Sequence, residues 1–217
     1  MIPVKYGYAS DLLSDVIARD PDHPEALMMR ASVHLSKGEN QTAIEQGEAL
    51  VAKYPNAAPM HYMLARAYAA ANGIKAVEVD AAPRPASPFN WTAIVFDGER
   101  YHYAHINTRR SEPLVATDDD NFIRRFSAPY MPVAMAQWEV RERFGNGSTR
   151  ALAEQVWNAE DFAFYRWFAI FPVLDHAGEG ADGERCASFK DLRFLTPGRD
   201  RQPFIYGLCN VADGWRL

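Results

Sequence analysis

The sequence predicts an α+β protein: a short α-helical arm followed by a domain in which helices pack on an antiparallel sheet. Three observations carry this. Residues 6–72 repeat helix-compatible apolar positions at a spacing of 34 residues, with proline closing each helix pair. From Trp91 onward the pattern changes to β-rich runs separated by turn residues. Between those runs lie further stretches with helical spacing. The arm is read over 1–73 and the α+β domain over 74–217.

In the arm, Ala9, Leu13, Val16 and Pro21 recur as Ala43, Gly47, Leu50 and Pro55, and Leu27, Ala31 and His34 recur as His61, Ala65 and Tyr68. Ala31, Ala43 and Ala65 let helices approach closely, while Pro21 and Pro55 stop the helix before them. Asp20-Pro21-Asp22-His23-Pro24 and Lys53-Tyr54-Pro55-Asn56 read as the loops between helix pairs. On these residues, 6–72 resembles the tetratricopeptide family over a second helix, one whole repeat and the first helix of another. It departs from the family where Leu27 and His61 stand for a usual Trp, and Arg30 for a usual Leu. The resemblance implies a concave peptide-binding face that places Met28, Ser32, Tyr62 and Arg66 toward a groove; the alternative is that these are solvated or core positions. So short an array leaves an apolar face in need of cover, so the arm is expected to pack on the second domain, on a copy of itself or on a protein partner.

In the domain, Ile74–Val79 alternates like a strand, and Ala82–Pro88 fits neither a helix nor a central strand. Trp91–Phe96 and Arg100–Ile106 flank Asp97-Gly98-Glu99, a hairpin signal. Asn121 to about Phe144 and Ser148–Trp157 read as helix, interrupted near Pro129 and Pro132 and closed by Gly145-Asn146-Gly147. A third helix is expected from Asn158 as cap with Asp161 three residues on. Its stripe of Phe164, Trp167, Phe168 and Phe171 is expected to face the sheet. Arg185–Phe194 and Pro203–Val211 read as two further strands joined by Thr196-Pro197-Gly198-Arg199-Asp200. Period two then sends Phe189, Asp191 and Arg193 to one side, as a structural ion pair or as a ligand clamp.

A second resemblance rests on Pro88-Phe89-Asn90-Trp91, Tyr101-His102-Tyr103, Arg166-Trp167-Phe168-Ala169-Ile170-Phe171-Pro172 and Asp191-Leu192-Arg193-Phe194. With Leu64-Ala65-Arg66, these segments look like the soluble carboxy-terminal region of bacterial membrane-bound metal-dependent hydrolases. The metal-binding histidines of that family lie ahead of the matched part, where this chain carries its repeat-like arm. The resemblance therefore implies a fold and a bacterial source, while no position here matches the His-rich motif.

Bulk properties narrow the partners. A net charge of −5 over 217 residues, with no cluster of Lys and Arg, argues against nucleic acid. The start Met1-Ile2-Pro3-Val4-Lys5-Tyr6 lacks the basic and apolar run of a signal peptide, and no apolar stretch approaches the ~18 residues of a span. A cytoplasmic protein without a membrane span is expected. Cys186 and Cys209 are too few and wrongly spaced for zinc and are expected as a reduced, packed pair, although pairing of the last two strands sets them nearly opposite each other.

No catalytic set and no cofactor is predicted. His102 and His105 lie three apart on a strand and so point to opposite faces, and Asp118-Asp119-Asp120 reads as a solvated loop. There is no Gly-x-Ser-x-Gly elbow, and Gly145-Asn146-Gly147-Ser148 lacks the Lys of a phosphate loop. Arg84, Asn90, Tyr103, Arg166, Asp191 and Arg193 are the ligand-binding candidates, because arginine in a polar cleft favours a carboxylate or phosphate. The expected function is a non-catalytic interaction or binding protein. The alternatives are a metal-dependent hydrolase-like enzyme with its site in the α+β domain, and an inactive relative of the membrane hydrolases.

Overall fold

A computed structural model of the chain describes residues 4–84, 87–180, 183–198, 202–211 and 214–216. Pro85 and Ala86 of the proline-rich entry, and Arg199 and Asp200 of the expected turn, lie outside the described residues. The fold is α+β, and no described helix is long and apolar enough to cross a membrane. Contacts divide the chain into two compact units, 1–98 with 103–138, and 99–102 with 139–217.

The first unit opens with α1 (Val4–Arg19), α2 (Pro24–Ser36), α3 (Asn40–Lys53) and α4 (Ala58–Ala71). Pro24 sits at the start of α2, where its missing N–H costs nothing, and His23 caps that end by accepting from the Ala26 N–H. At the other end of α4, Gly73 turns left-handed, its N–H goes to the Ala70 carbonyl, and the Ile74 N–H goes to Ala69. That terminal motif uses up Ile74, so the strand expected at 74–79 begins later, as β1 (Glu78–Pro83). Pro83 is tolerated because β1 lies at the sheet edge.

The hairpin forms as expected, with β2 (Asn90–Phe96) and β3 (Arg100–Asn107) adjacent in the order β1-β2-β3-β4. β4 (Met131–Pro132) runs parallel to β3, Ile106 facing Met131. The helix expected over 121–144 is confined to α5 (Phe122–Ser127), capped by the Asn121 side chain. Beyond it, Pro129 and Pro132 remove helical donors, and the chain turns to strand and 3-10 structure instead. Ala31, Ala43, Leu64 and Ala67 of the helices share one buried cluster with Ala81, Trp91, Ala93 and Ile106 of the sheet.

In the second unit, β5 (Glu139–Glu142) pairs with β3, and α6 (Gly147–Asn158) and α7 (Ala163–Phe168) accompany an antiparallel sheet. That sheet is β6 (Pro172–Glu179), β7 (Arg185–Asp191), β8 (Tyr206–Val211) and β9 (Gly214–Arg216), in that order. β6 and β9 were not legible in the sequence. Asn158 ends α6 instead of capping a third helix, and its amide donates to the Glu154 carbonyl.

The aromatic stripe is also corrected. Phe171 is buried, but Phe164 and Trp167 are 60% and 79% exposed, and the rings packed into the core are Phe162 and Tyr165. Tyr165 of the six-residue α7 stacks on Tyr206 at 5.6 Å, and Phe168 of the expected stripe is half-buried against the same cluster. Cys186 and Cys209 face each other across β7 and β8 and are joined by a disulfide, correcting the reduced pair.

Candidate functional site

Polar side chains collect inside each unit, and the sequence-derived candidates divide between the two places. In the first unit, period two turns Asn90 and Thr92 of β2, and Tyr103, His105 and Asn107 of β3, to shared faces of the hairpin, all buried. Asn107 Nδ2 donates to Asn90 Oδ1 at 2.6 Å, and Asn90 Nδ2 donates to Ser127 Oγ at 3.2 Å. Thr92 Oγ1 lies 3.0 Å from His105 Nδ1, and the rings of Tyr103 and Tyr130 meet the imidazole edge-on. Arg84 is buried and donates from Nε to the Tyr130 hydroxyl at 3.3 Å. Arg110 closes the cluster by donating to the Ser127 and Tyr130 carbonyls.

Burial holds the His105 imidazole down to about 4, with the nearby Arg84 charge adding to it. Burial also raises the Tyr130 phenol. Arg84, Asn90 and Tyr103 thus meet in one place, in a network whose members bond one another. Such a network rigidifies the hairpin end. A neutral His105 is committed through Nδ1 to the Thr92 hydroxyl.

In the second unit, Asp191 is fully enclosed and accepts from the Ile170 N–H at 2.7 Å, the Arg193 N–H at 2.9 Å, and Arg193 Nε and Nη2 at 3.0 and 2.7 Å. Arg193 also donates to the Phe168 carbonyl, and its guanidinium lies over the Phe168 and Phe194 rings. Both carboxylate oxygens are engaged by donors of the chain itself, the geometry of a structural pair. Arg166 stands apart from them and donates to the Trp157 and Ala159 carbonyls, where a cation suits the end of α6.

Above that pair the surface is aromatic. Phe164, Tyr165, Phe168, Phe204, Ile205 and Tyr206 line a hollow of about 310 Å³. Phe204 is the one described non-glycine residue with positive φ, at 61°. Its only sequence signal was the apolar run Phe204-Ile205-Tyr206, read there as strand.

In the arm, Ala9, Leu12, Leu13, Met29, Ser32, Val33 and Ser36 line a groove of about 250 Å³ between α1 and α2. Of the four partner-binding candidates, Ser32 lines this groove, and its hydroxyl donates to the Met28 carbonyl at 3.0 Å. Met28 packs on the helical core, and its neighbour Met29 reaches the groove instead. Tyr62 and Arg66 stand together on the outer face of α4, the guanidinium 5.8 Å from the ring.

Among the described residues, three metal-ligating atoms converge at one place, Glu184, Cys186 and Cys209, within 4.8 Å of one another. Two of them are the sulfurs of the disulfide, so in this state they offer no thiolate. Compared with family models, with curated proteins and with solved structures, the chain matches none.

Proposed function

We propose that this chain is a non-catalytic interaction protein whose helical arm docks a second copy of itself. The observation that supports it best is the α1–α2 face. Tyr8, Leu12 and Met29 stand out there at 75%, 55% and 55% exposure, Leu12 and Met29 as walls of the groove that Leu13, Val33 and Ser36 complete. Exposed apolar side chains and groove share one face, which suits an isologous contact in which the α1–α2 patch of one protomer meets the same patch of its copy. The non-catalytic reading is supported by Asp191, whose carboxylate is taken up by Arg193, and by Asn90, whose amide is held between Asn107 and Ser127.

Sedimentation equilibrium over a concentration series tests the docking. The wild-type chain is expected to dimerise, and Leu12→Glu, which places a charge on an exposed position, is expected to be monomeric with unchanged helix content. A wild-type chain that stays monomeric at every concentration, or a Leu12→Glu chain that still dimerises, sinks it.

A cytoplasmic location belongs to the same proposal. Structural disulfides are rare in that compartment, so alkylation of thiols during cell lysis is informative. Capture of Cys186 and Cys209 as free thiols supports the location, and a protected bridge argues for an oxidising one.

A further inference from the structure

On the side of α2 turned away from that groove, α2 and α3 enclose a notch of about 130 Å³, lined by Leu27, Arg30, Gln46, Ala49, Leu50 and Lys53. Its walls are largely apolar, yet two polar heads stand in it unsatisfied. Arg30 Nε and Gln46 Oε1 are both shut off from solvent, and neither makes a hydrogen bond. No ion pair among the described residues engages the Arg30 guanidinium, whereas the Lys53 ammonium at the rim is held by Asp22. The Arg30 Nε–H left without a partner in the notch carries its desolvation cost, and a ligand that accepts from it recovers that cost.

The chemistry of that ligand follows from the lining. An unpaired, half-buried guanidinium selects an anion, and its planar fork fits a carboxylate. A half-turn of the Gln46 amide exchanges its oxygen for its NH₂, so the same side chain can donate to the second carboxylate oxygen. Water takes up about 30 Å³ per molecule, so the notch holds roughly four waters' worth of matter, enough for a carboxylate on a short aliphatic stem. A nucleotide or a cofactor needs a pocket of at least about 300 Å³. Leu27, Ala49 and Leu50 supply the surface for the stem.

We infer that the α2–α3 notch is a carboxylate-binding site, with Arg30 and Gln46 donating to the anion and the leucines holding its stem. The same chemistry is offered by a free short-chain acid and by a glutamate side chain of a peptide. The site does not depend on dimer formation, because it lies on the opposite face of α2.

The test is side-chain NMR of the full-length chain labelled with ¹⁵N in arginine. Sodium propionate, propionamide, sodium chloride and acetyl-Ala-Ala-Glu-amide are titrated separately. Propionate is expected to move the Arg30 Nε–H signal saturably, while propionamide and chloride leave it in place. Arg30→Gln and Gln46→Leu are each expected to weaken propionate binding by about tenfold, the loss of one charge-assisted hydrogen bond. A peptide that binds about tenfold more tightly than propionate assigns the site to acidic side chains, and equal affinity assigns it to small acids; both support the site. An unmoved Arg30 signal, or an equal response to propionamide or chloride, overturns it. Should Arg30→Gln fail to fold, the wild-type signal and Gln46→Leu still decide. Sedimentation of the same samples reports the dimer separately, so either idea can fail alone.

Discussion

His61 shows how much a single buried side chain sets in this protein. Its ring stacks on Trp91 with centroids 3.7 Å apart, and Nε2 is 2.9 Å from the Pro55 carbonyl, which assigns the proton to that nitrogen. Burial holds its pKa down to about 4 from 6.5, as it does for His105. Folded histidine therefore rejects a proton that the unfolded chain accepts. The stability this confers is full above about pH 6.5 and is lost as pH falls toward about 4, on the order of 3 kcal/mol for each ring. Thermal melts between pH 7 and pH 4 are expected to show a falling midpoint, and His61→Phe, which keeps the stack, is expected to flatten the slope by about half. Asp191 makes a second case. Asp191→Asn is expected to cost about 3–5 kcal/mol by chemical denaturation, because Arg193 is left partly buried without its counter-charge. Asp191→Leu with Arg193→Met is expected to cost less than the single change. At this scale the sequence reading set Met28 toward a groove, whereas Met28 packs on the helical core and Met29, about 100° further round the helix, lines the α1–α2 groove.

Among the elements, those specified by local rules were legible and those specified by partners were not. The four arm helices and the β2–β3 hairpin follow from proline stops, small residues at close approaches and an Asp-Gly turn. Residues 128–144 lack such cues, and once Pro129 and Pro132 exclude helix, the chain takes whatever pairing β3 offers. Gly47 lies at the α3–α4 contact, where an added Cβ would meet Met63 Cε at 2.8 Å and Leu64 Cδ1 at 2.9 Å. Both obstacles are flexible side-chain ends, so alanine is accommodated there. Gly207 differs, because its Cβ would meet the Ala187 carbonyl oxygen at 2.8 Å and Ser188 Cβ at 2.7 Å. Gly207→Ala is expected to destabilise the β7–β8 ladder by about 1–3 kcal/mol, read as a lower denaturation midpoint. The disulfide spans 23 residues of the same ladder, and serine at both cysteines is expected to lower stability by about 2–4 kcal/mol.

For the molecule as a whole, the first unit joins the arm to the first sheet through one core. Trp91 is buried against His61, and Ala81 and Ala93 share a cluster with Leu64 and Ala67. A fragment of 74–217 is therefore expected to expose that face of the sheet and to lose the near-ultraviolet signal of buried Trp91. A fragment that keeps the signal and a cooperative melt would show the sheet folding without its helices. By itself the sequence determined the α+β class, the helices of the arm and the hairpin, because propensity, capping and turn chemistry act within a few residues. The tertiary structure alone decided that Tyr165 and not Trp167 meets the sheet, that β6 and β9 complete it, that Cys186 and Cys209, already set nearly opposite by the strand reading, are bonded, and that the Ile170 N–H joins Arg193 in saturating Asp191. Each of those outcomes depends on which distant segment lies alongside, and ladder pairing and burial are set by neighbours in space, which a period along the chain does not encode.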